Sequence, residues 1–193
     1  EGFFTEKEVM AGPTFKPFRI GKYLLLDHIA SGGMAELYRA KTVGASGFEK
    51  VQAVKCIYPQ YINNEDFKTM FEREAHIGSQ LKHANIVQIY DFIRVGDNYL
   101  LSMEFVDGKN IRQVLAKAER KRVKIPVEIS AYFIQEMARG LEYAHKKKDI
   151  QSHEALTIIH RDISPQNLMV SYEGAIKVVD CGIAKATNQA EIT

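Results

Sequence analysis

Five short strand patterns and one helical repeat fill the first hundred residues, and after residue 106 the pattern turns mainly helical. Tyr23 to Ala30, Leu37 to Lys41 and Val51 to Ile57 read as strands, with Ser31-Gly32-Gly33 as the turn between the first two. Then Phe67, Met70, Phe71, Glu74, Ile77, Gly78 and Leu81 recur at three and four, the repeat of an amphipathic helix beginning near Asn63 to Asp66. Ile86 to Ile93 and Tyr99 to Phe105 read as two further strands, joined by a turn at Gly96-Asp97-Asn98, and "VDGKN" follows as a link. Beyond it, Ile111 to Ala118 predicts a short helix. A long helix is expected after Pro126, with Ile129, Phe133, Met137, Leu141 and Ala144 on one face. Lys146 to Leu156 is charged and irregular and reads as an insertion. Short strands are expected at Thr157 to Ile159, Leu168 to Ser171 and Ala175 to Val179. A strand-rich half followed by a helical half implies an α+β chain of two lobes with a cleft between them.

The bulk properties narrow the partners. A chain of 193 residues, 46% hydrophobic and 26% charged, can bury a real core. Its net charge of +2 gives no ground for nucleic acid or a membrane as partner. Arg120-Lys121-Arg122 and Lys146-Lys147-Lys148 read as solvated helix ends, with docking of an acidic partner as the alternative. Cys56 and Cys181 lack CxxC spacing, so neither a zinc site nor a disulfide framework is indicated, and a reducing, cytoplasmic setting fits them. The six histidines show no ligand spacing and read as structural or surface residues. No apolar run is long enough to span a membrane, and no signal-peptide pattern opens the chain. It begins at Glu1 rather than Met, as a processed or excised chain would.

Several residues point to chemistry. Glu74 sits within an apolar helical face, where an unpaired buried carboxylate would cost several kcal/mol, on the order of ~3–5. It therefore either finds a cation or lies at the rim in water. Strand alternation offers Lys55, which shares a face with Ala53 and points away from Val54 and Cys56. The stretch "IASGGMAEL" is either an ordinary hairpin or a glycine turn that lets backbone N–H groups approach phosphate. In "IIHRDISPQNLMV", Asp162 and Asn167 stand five apart, and Asp180 follows thirteen residues later. Two carboxylates and an amide oxygen suit magnesium-assisted phosphoryl transfer, in which hard oxygens hold the metal and one carboxylate orients a hydroxyl. Taken singly, Asp162 would also serve as a turn cap.

In series, glycine hairpin, A-V-K, E-bearing helix, H-R-D-x-x-x-x-N and D-x-G, the chain from about Phe18 onward resembles the eukaryotic-like (Hanks-type) serine/threonine protein kinases of bacteria. The resemblance implies a two-lobed kinase fold. It would comprise a lead-in over 1–17, an N-lobe over 18–106 with a five-stranded antiparallel sheet and one helix, and a mainly helical, incomplete C-lobe over 107–193. It implies ATP and Mg2+ as cofactors and protein hydroxyls as substrates. Lys55 would hold the α- and β-phosphates with Glu74 as its partner, Asp162 would be the base, and Asn167 and Asp180 the magnesium ligands. The nucleotide would lie under Ile29, Ala30, Ser31, Gly32, Gly33, Met34 and Ala35. Leu37 and Ala53 would cap the adenine and Met169 would floor it. Met103 would be the gatekeeper, with the Glu104 and Val106 backbones meeting the base. Arg161 beside Asp162 implies control by a phosphate on the activation segment. A regulatory partner or a dimer is compatible with it, and membrane attachment would come from parts outside this chain.

The chain departs from the family pattern in named places. The hairpin keeps only the middle glycine, Gly32, of G-x-G-x-x-G; Ser164 stands where serine/threonine kinases place a lysine; Cys181 replaces the phenylalanine of D-F-G. With Gly78 as its small neighbour, Cys181 would thin the stack under the glutamate-bearing helix and leave the active arrangement a minority state. The chain ends at Thr193, where an activation segment would be starting, without an A-P-E motif, as a fragment of a kinase domain would. The leading expectation is therefore a protein kinase. A catalytically impaired kinase-like nucleotide-binding module is the alternative, and a small-molecule phosphotransferase a third.

Overall fold

In the computed structural model, residues 15–62, 64–149, 153–156 and 158–180 are described, without the side chains of Ile62, Asp66, Phe67, Met70, Arg73 and Glu74. The strand patterns of the first half form one antiparallel sheet. Its strands are β1 (Phe18–Ile20), β2 (Tyr23–Ser31), β3 (Ala35–Val43), β4 (Glu49–Ile57), β5 (Ile89–Val95) and β6 (Asn98–Met103), in the order β1-β2-β3-β4-β6-β5. Six strands stand where five were expected. The addition is β1, three residues long and too short to show an alternating pattern. It exists because Gly21 adopts a positive φ of 56° and folds the chain back, pairing Phe18 with Leu25 and Ile20 with Tyr23.

Alternation along β4 feeds two separate cores. Val54 packs on the outer side with Tyr23, Leu25, Tyr38, Ala40 and Leu100, and Cys56 lies against that cluster. Ala53 and Ile57 face the other way, with Ala35, Leu101 and Met103. Helix α2 (Glu65–Ser79), entered through the one-turn α1 (Pro59–Ile62), docks on this inner side through Phe71 and Ala75. Burying one such phenylalanine contributes about 1.5–3 kcal/mol.

Strand β5 begins at Ile89, three residues later than the apolar run suggested. The Val87 N–H donates to the Val178 carbonyl at 2.9 Å, and the Val178 N–H donates to that of Asn85 at 2.8 Å. Ile86 forms a parallel bridge with Val178. These backbone groups are used by the second lobe and cannot join the first sheet.

That second lobe holds a three-stranded antiparallel sheet, β7 (Gly108–Asn110), β8 (Leu168–Ser171) and β9 (Ile176–Val178), in that order, with helices α3 (Ile111–Arg120) and α4 (Val127–Lys146). The expected link therefore contains a strand. Gly108 makes this possible: a Cβ there would lie 2.0 Å from the Val170 carbonyl oxygen. Directly after β7, Asn110 caps α3 reciprocally with Gln113, at 2.9 and 3.0 Å. The lobe's core is Leu81, Ile86, Ile111, Ala144, Ile158, Leu168, Ile176 and Val178, with Phe133 and Met137 packed against it. Ile129, expected on the same helical face, is 45% exposed, because the core begins only at Phe133.

The expected strand at Thr157 to Ile159 pairs with nothing in a ladder among its described residues: Ile158 is buried, Ile159 is exposed, and Thr157 lies outside the described residues. The charged insertion before it is described at its two ends, 146–149 and 153–156. It is closed by a Lys148–Ala155 bridge and by the Leu156 N–H donating to Lys147 at 3.0 Å.

Candidate active site

Each functional group reaches the cleft between the two sheets for a local reason. Lys55 lies on β4 opposite Leu37 of β3 and Leu101 of β6, so it projects from the inner face beside Ala53. Its Nζ donates to Asp180 Oδ1 at 3.2 Å, a pair 22% and 37% exposed. Asp180 follows β9 with a positive φ of 55°, a conformation aspartate tolerates better than most residues. That turn of the backbone, just past the strand, aims the carboxylate at the lysine.

The loop carrying Asp162 is held from several sides. Asn167 Nδ2 donates to the Asp162 carbonyl at 2.9 Å and to its carboxylate at 3.0 Å. The Asn167 N–H closes a turn on the Ser164 carbonyl at 3.0 Å, and its carbonyl accepts the Val179 N–H at 3.0 Å. His160, only 4% exposed, supports the loop from beneath. Its Nε2 bonds the Val179 carbonyl at 3.0 Å, and Nδ1 accepts the Asp162 N–H at 3.4 Å. These partners assign a neutral ring with the proton on Nε2. The expectation that the histidines are structural or surface residues holds at His160, a buried residue flanked by apolar Ile158 and Ile159. Arg161 is exposed with a positive φ of 59°.

The nucleotide-side residues divide into two groups. Ala53 and Met103 are register partners, both buried, and Leu37 and Val106 pack on the same cluster. Met169 is half-buried on β8, paired across the sheet with Lys177. Ile29, Ala30 and Ser31 end β2, Ala35 begins β3, and Ile29 and Met34 are 45% and 50% exposed. The hairpin closes through the Gly32 N–H donating to Ala35 at 2.8 Å. Tyr61 of α1, whose hydroxyl donates to the Gly33 carbonyl at 3.1 Å, ties the turn to the lobe. At Glu104 the backbone N–H is already committed to the Gln88 carbonyl at 2.8 Å, which leaves the Glu104 carbonyl as the group offered to a ligand.

Two expectations fall outside the description. Glu74 lies in α2, but its side chain, and with it the pairing to Lys55, is outside the described residues, as is Cys181. Cys56 faces the outer core, where burial first and Glu36 second push its thiol up to about 12, so it offers no nucleophile.

The donor set is of the chemical kind a magnesium nucleotide would need. A Cβ at Gly33 would meet no atom within 4 Å, so the chain's own packing does not need that space. Among the described residues no group of three or more His, Cys, Asp or Glu side chains could hold a metal by itself. Asn167 spends its amide nitrogen on Asp162, leaving Oδ1 as an acceptor; with Asp180 it would give hard oxygens to a cation whose remaining ligands would be phosphate and water. A cavity of about 600 Å3 lined by His83, Arg139, Tyr143 and Lys146 to Lys148 contains none of these residues.

A sheet lobe and a second lobe thus meet at a lysine, two aspartates and an asparagine. The chain belongs to the protein kinase domain family, whose model matches residues 23–193. Among curated relatives it is 40% identical over 177 residues to the tyrosine-protein kinase MasK of Myxococcus xanthus, covering 92% of this chain and 27% of that protein. It is 32% identical to the serine/threonine-protein kinase PrkC of Bacillus subtilis, covering 90% and 24%. The PknI kinase domain of Mycobacterium tuberculosis superposes with a TM-score of 0.69 at 25% identity, over 87% of this chain and 61% of that one. The chain thus spans about a quarter of the length of the curated relatives it matches.

Proposed function

We propose that the protein carrying this chain is an ATP- and Mg2+-dependent protein kinase that phosphorylates serine or threonine hydroxyls of other proteins. The observation that carries the reading is the unbroken linkage Lys55–Asp180, Val179–Asn167, Asn167–Asp162, which ties phosphate-binding, metal-binding and proton-accepting groups into one frame. In this reading Lys55 holds the α- and β-phosphates, and Asn167 and Asp180 hold the cation, which would neutralise charge on the phosphates when bound. Asp162 accepts the proton of the acceptor hydroxyl as its oxygen bonds to the γ-phosphorus and the bond to the departing ADP oxygen breaks. Asn167 keeps the Asp162 carboxylate turned to the acceptor, and His160 fixes the backbone under it.

The intact core weighs against a module that binds nucleotide without turning it over. Ser164 is half-buried and carries no charge to the transferring phosphoryl group, so turnover would rest on the remaining cations. A relative named a tyrosine kinase makes the acceptor hydroxyl part of the test. We place the activity in the cytoplasm with protein substrates. No helix among the described residues is long and apolar enough to cross a membrane, so any anchor would lie elsewhere.

The test is labelled-phosphate transfer from ATP by the full-length protein, to serine/threonine and to tyrosine peptides, beside Asp162→Asn. Transfer to serine or threonine that falls by at least about a hundredfold in the variant, with nucleotide affinity kept, supports the reading. Equal transfer by both proteins would refute the assignment of Asp162, and transfer to tyrosine alone would replace the acceptor class.

A further inference from the structure

We propose that Glu104 and Lys177 form a strut behind the hinge, the segment 103–108 between the lobes, and that it fixes the distance between the adenine-holding and metal-holding halves of the cleft. This rests on the nucleotide-binding reading above. Lys177 Nζ meets both oxygens of Glu104, at 2.7 Å to Oε1 and 2.9 Å to Oε2, with the side chains 17% and 25% exposed. The Glu104 carboxylate also accepts the Gln88 N–H at 3.2 Å, while the Glu104 N–H donates to the Gln88 carbonyl. One residue earlier, Val87 bonds Val178, the neighbour of Lys177. Hinge, residues 85–88 and β9 therefore close into a ring, and the ion pair is its side-chain link between the lobes.

The position of the ring gives it its consequence. Glu104 directly follows Met103, so it belongs to the segment facing the adenine. Lys177 sits across from Met169 and three residues before Asp180, and the strand it occupies leads through Val179 to the carbonyl of Asn167. Moving β9 away from the hinge would stretch the pair and separate the adenine contacts from the metal ligands together. A pair less than one-third exposed on both sides is weakly screened by solvent, so its preference for one separation is retained in salt.

A strut of this kind acts on ligands that touch both halves and ignores ligands that touch one. Adenosine reaches the hinge and Met169 but neither metal ligand, so it lies within the adenine-holding half, whereas Mg-ADP also reaches Asn167 and Asp180. Lys177 touches neither, which makes it a positioning residue. The experiment is calorimetric titration of full-length protein with adenosine and with Mg-ADP, for the parent, Lys177→Met, Lys177→Gln and Lys177→Arg. Mg-ADP affinity is expected to fall about five- to tenfold in the Met and Gln variants, with adenosine affinity unchanged and Mg-ADP affinity kept by Arg. Equal losses for both ligands, or no loss for either, would overturn the strut. So would a rise in turnover with Mg-ADP affinity unchanged, since the pair would then restrain the lobes instead of aligning them. A parent protein that bound neither ligand would overturn the nucleotide reading itself, before the strut came into question.

Discussion

Exchanging glycine for alanine at two places separates what the fold needs from what the ligand needs. At Gly108 the added Cβ would lie 2.0 Å from the Val170 oxygen, 2.6 Å from Ser171 Cα and 2.8 Å from the Val170 carbonyl carbon. All three are backbone atoms of β8, so no side chain can swing aside. To reach ordinary contact, β7 must retreat from β8 by more than an ångström, and a strand of three residues has few bonds with which to resist. Overpacking costs about 1–3 kcal/mol, and each ladder bond lost adds about 0.5–1.5 kcal/mol. The expected loss is ~2–4 kcal/mol, or about 5–15 °C in the unfolding temperature of the kinase domain. At Gly32 the same methyl would meet only the Ala35 oxygen, at 3.5 Å, and φ lies outside the left-handed region. Gly32→Ala is expected to unfold within about 1 °C of the parent and to bind Mg-ATP severalfold more weakly, because the methyl stands where phosphate approaches. Differential scanning calorimetry of the full-length protein, with and without Mg-ATP, reads both. A Gly108→Ala protein that melts with the parent would refute the close-approach argument, and a Gly32→Ala protein with full nucleotide affinity would refute the phosphate role of the hairpin.

Two other outcomes are expected. His160→Phe keeps the buried ring volume but strands the Val179 carbonyl and the Asp162 N–H, so it is expected to cost about 1–3 kcal/mol and to lower kcat more than it raises the KM for ATP. Steady-state kinetics and urea unfolding check this, and unchanged kcat would refute it. Cys56 predicts an alkaline weakness. Its unfolded thiol ionises near 9.0, whereas burial holds the folded one up to about 12. The native state keeps a proton that the unfolded chain releases, so the thiol's contribution is whole below pH 9 and lost as pH rises toward 12. Tyr23 and Tyr38, both raised first by burial, act in the same direction. Urea midpoints at pH 8 and 10.5 are expected to fall further in the parent than in Cys56→Ala, and parallel declines would refute the assignment.

Much of this was legible because the motifs are local and their spacing is physical. Two-residue alternation along Val51 to Ile57 placed Lys55 on the inner face, and the structure divides Ala53 from Val54 and Cys56 in that way. Asp162 and Asn167 are close in sequence, and the contact between them is a local turn. What stayed hidden depends on partners distant in the chain. The start of β5 could not be read from Ile86 to Ile93, because the bonds that withdraw residues 86 and 87 come from Val178, some ninety residues on. Strand β7 hides in a Gly-containing link for the same reason, its partner being β8. The Glu104–Lys177 pair spans seventy-three residues and carries no periodic signature.

Strand β4 serves two cores at once, and this ties correct folding to correct placement of Lys55. A slip of one residue against β3 and β6 would turn Lys55 into the outer core and send Val54, fully buried there, into the cleft. An unpaired lysine in that apolar cluster would cost several kcal/mol, on the order of the entire margin by which a domain stays folded. Misregistered chains therefore cannot accumulate as stable, inactive look-alikes; they unfold and become visible to proteases. A cell that removes unfolded copies of this protein is, by the same act, inspecting the orientation of Lys55.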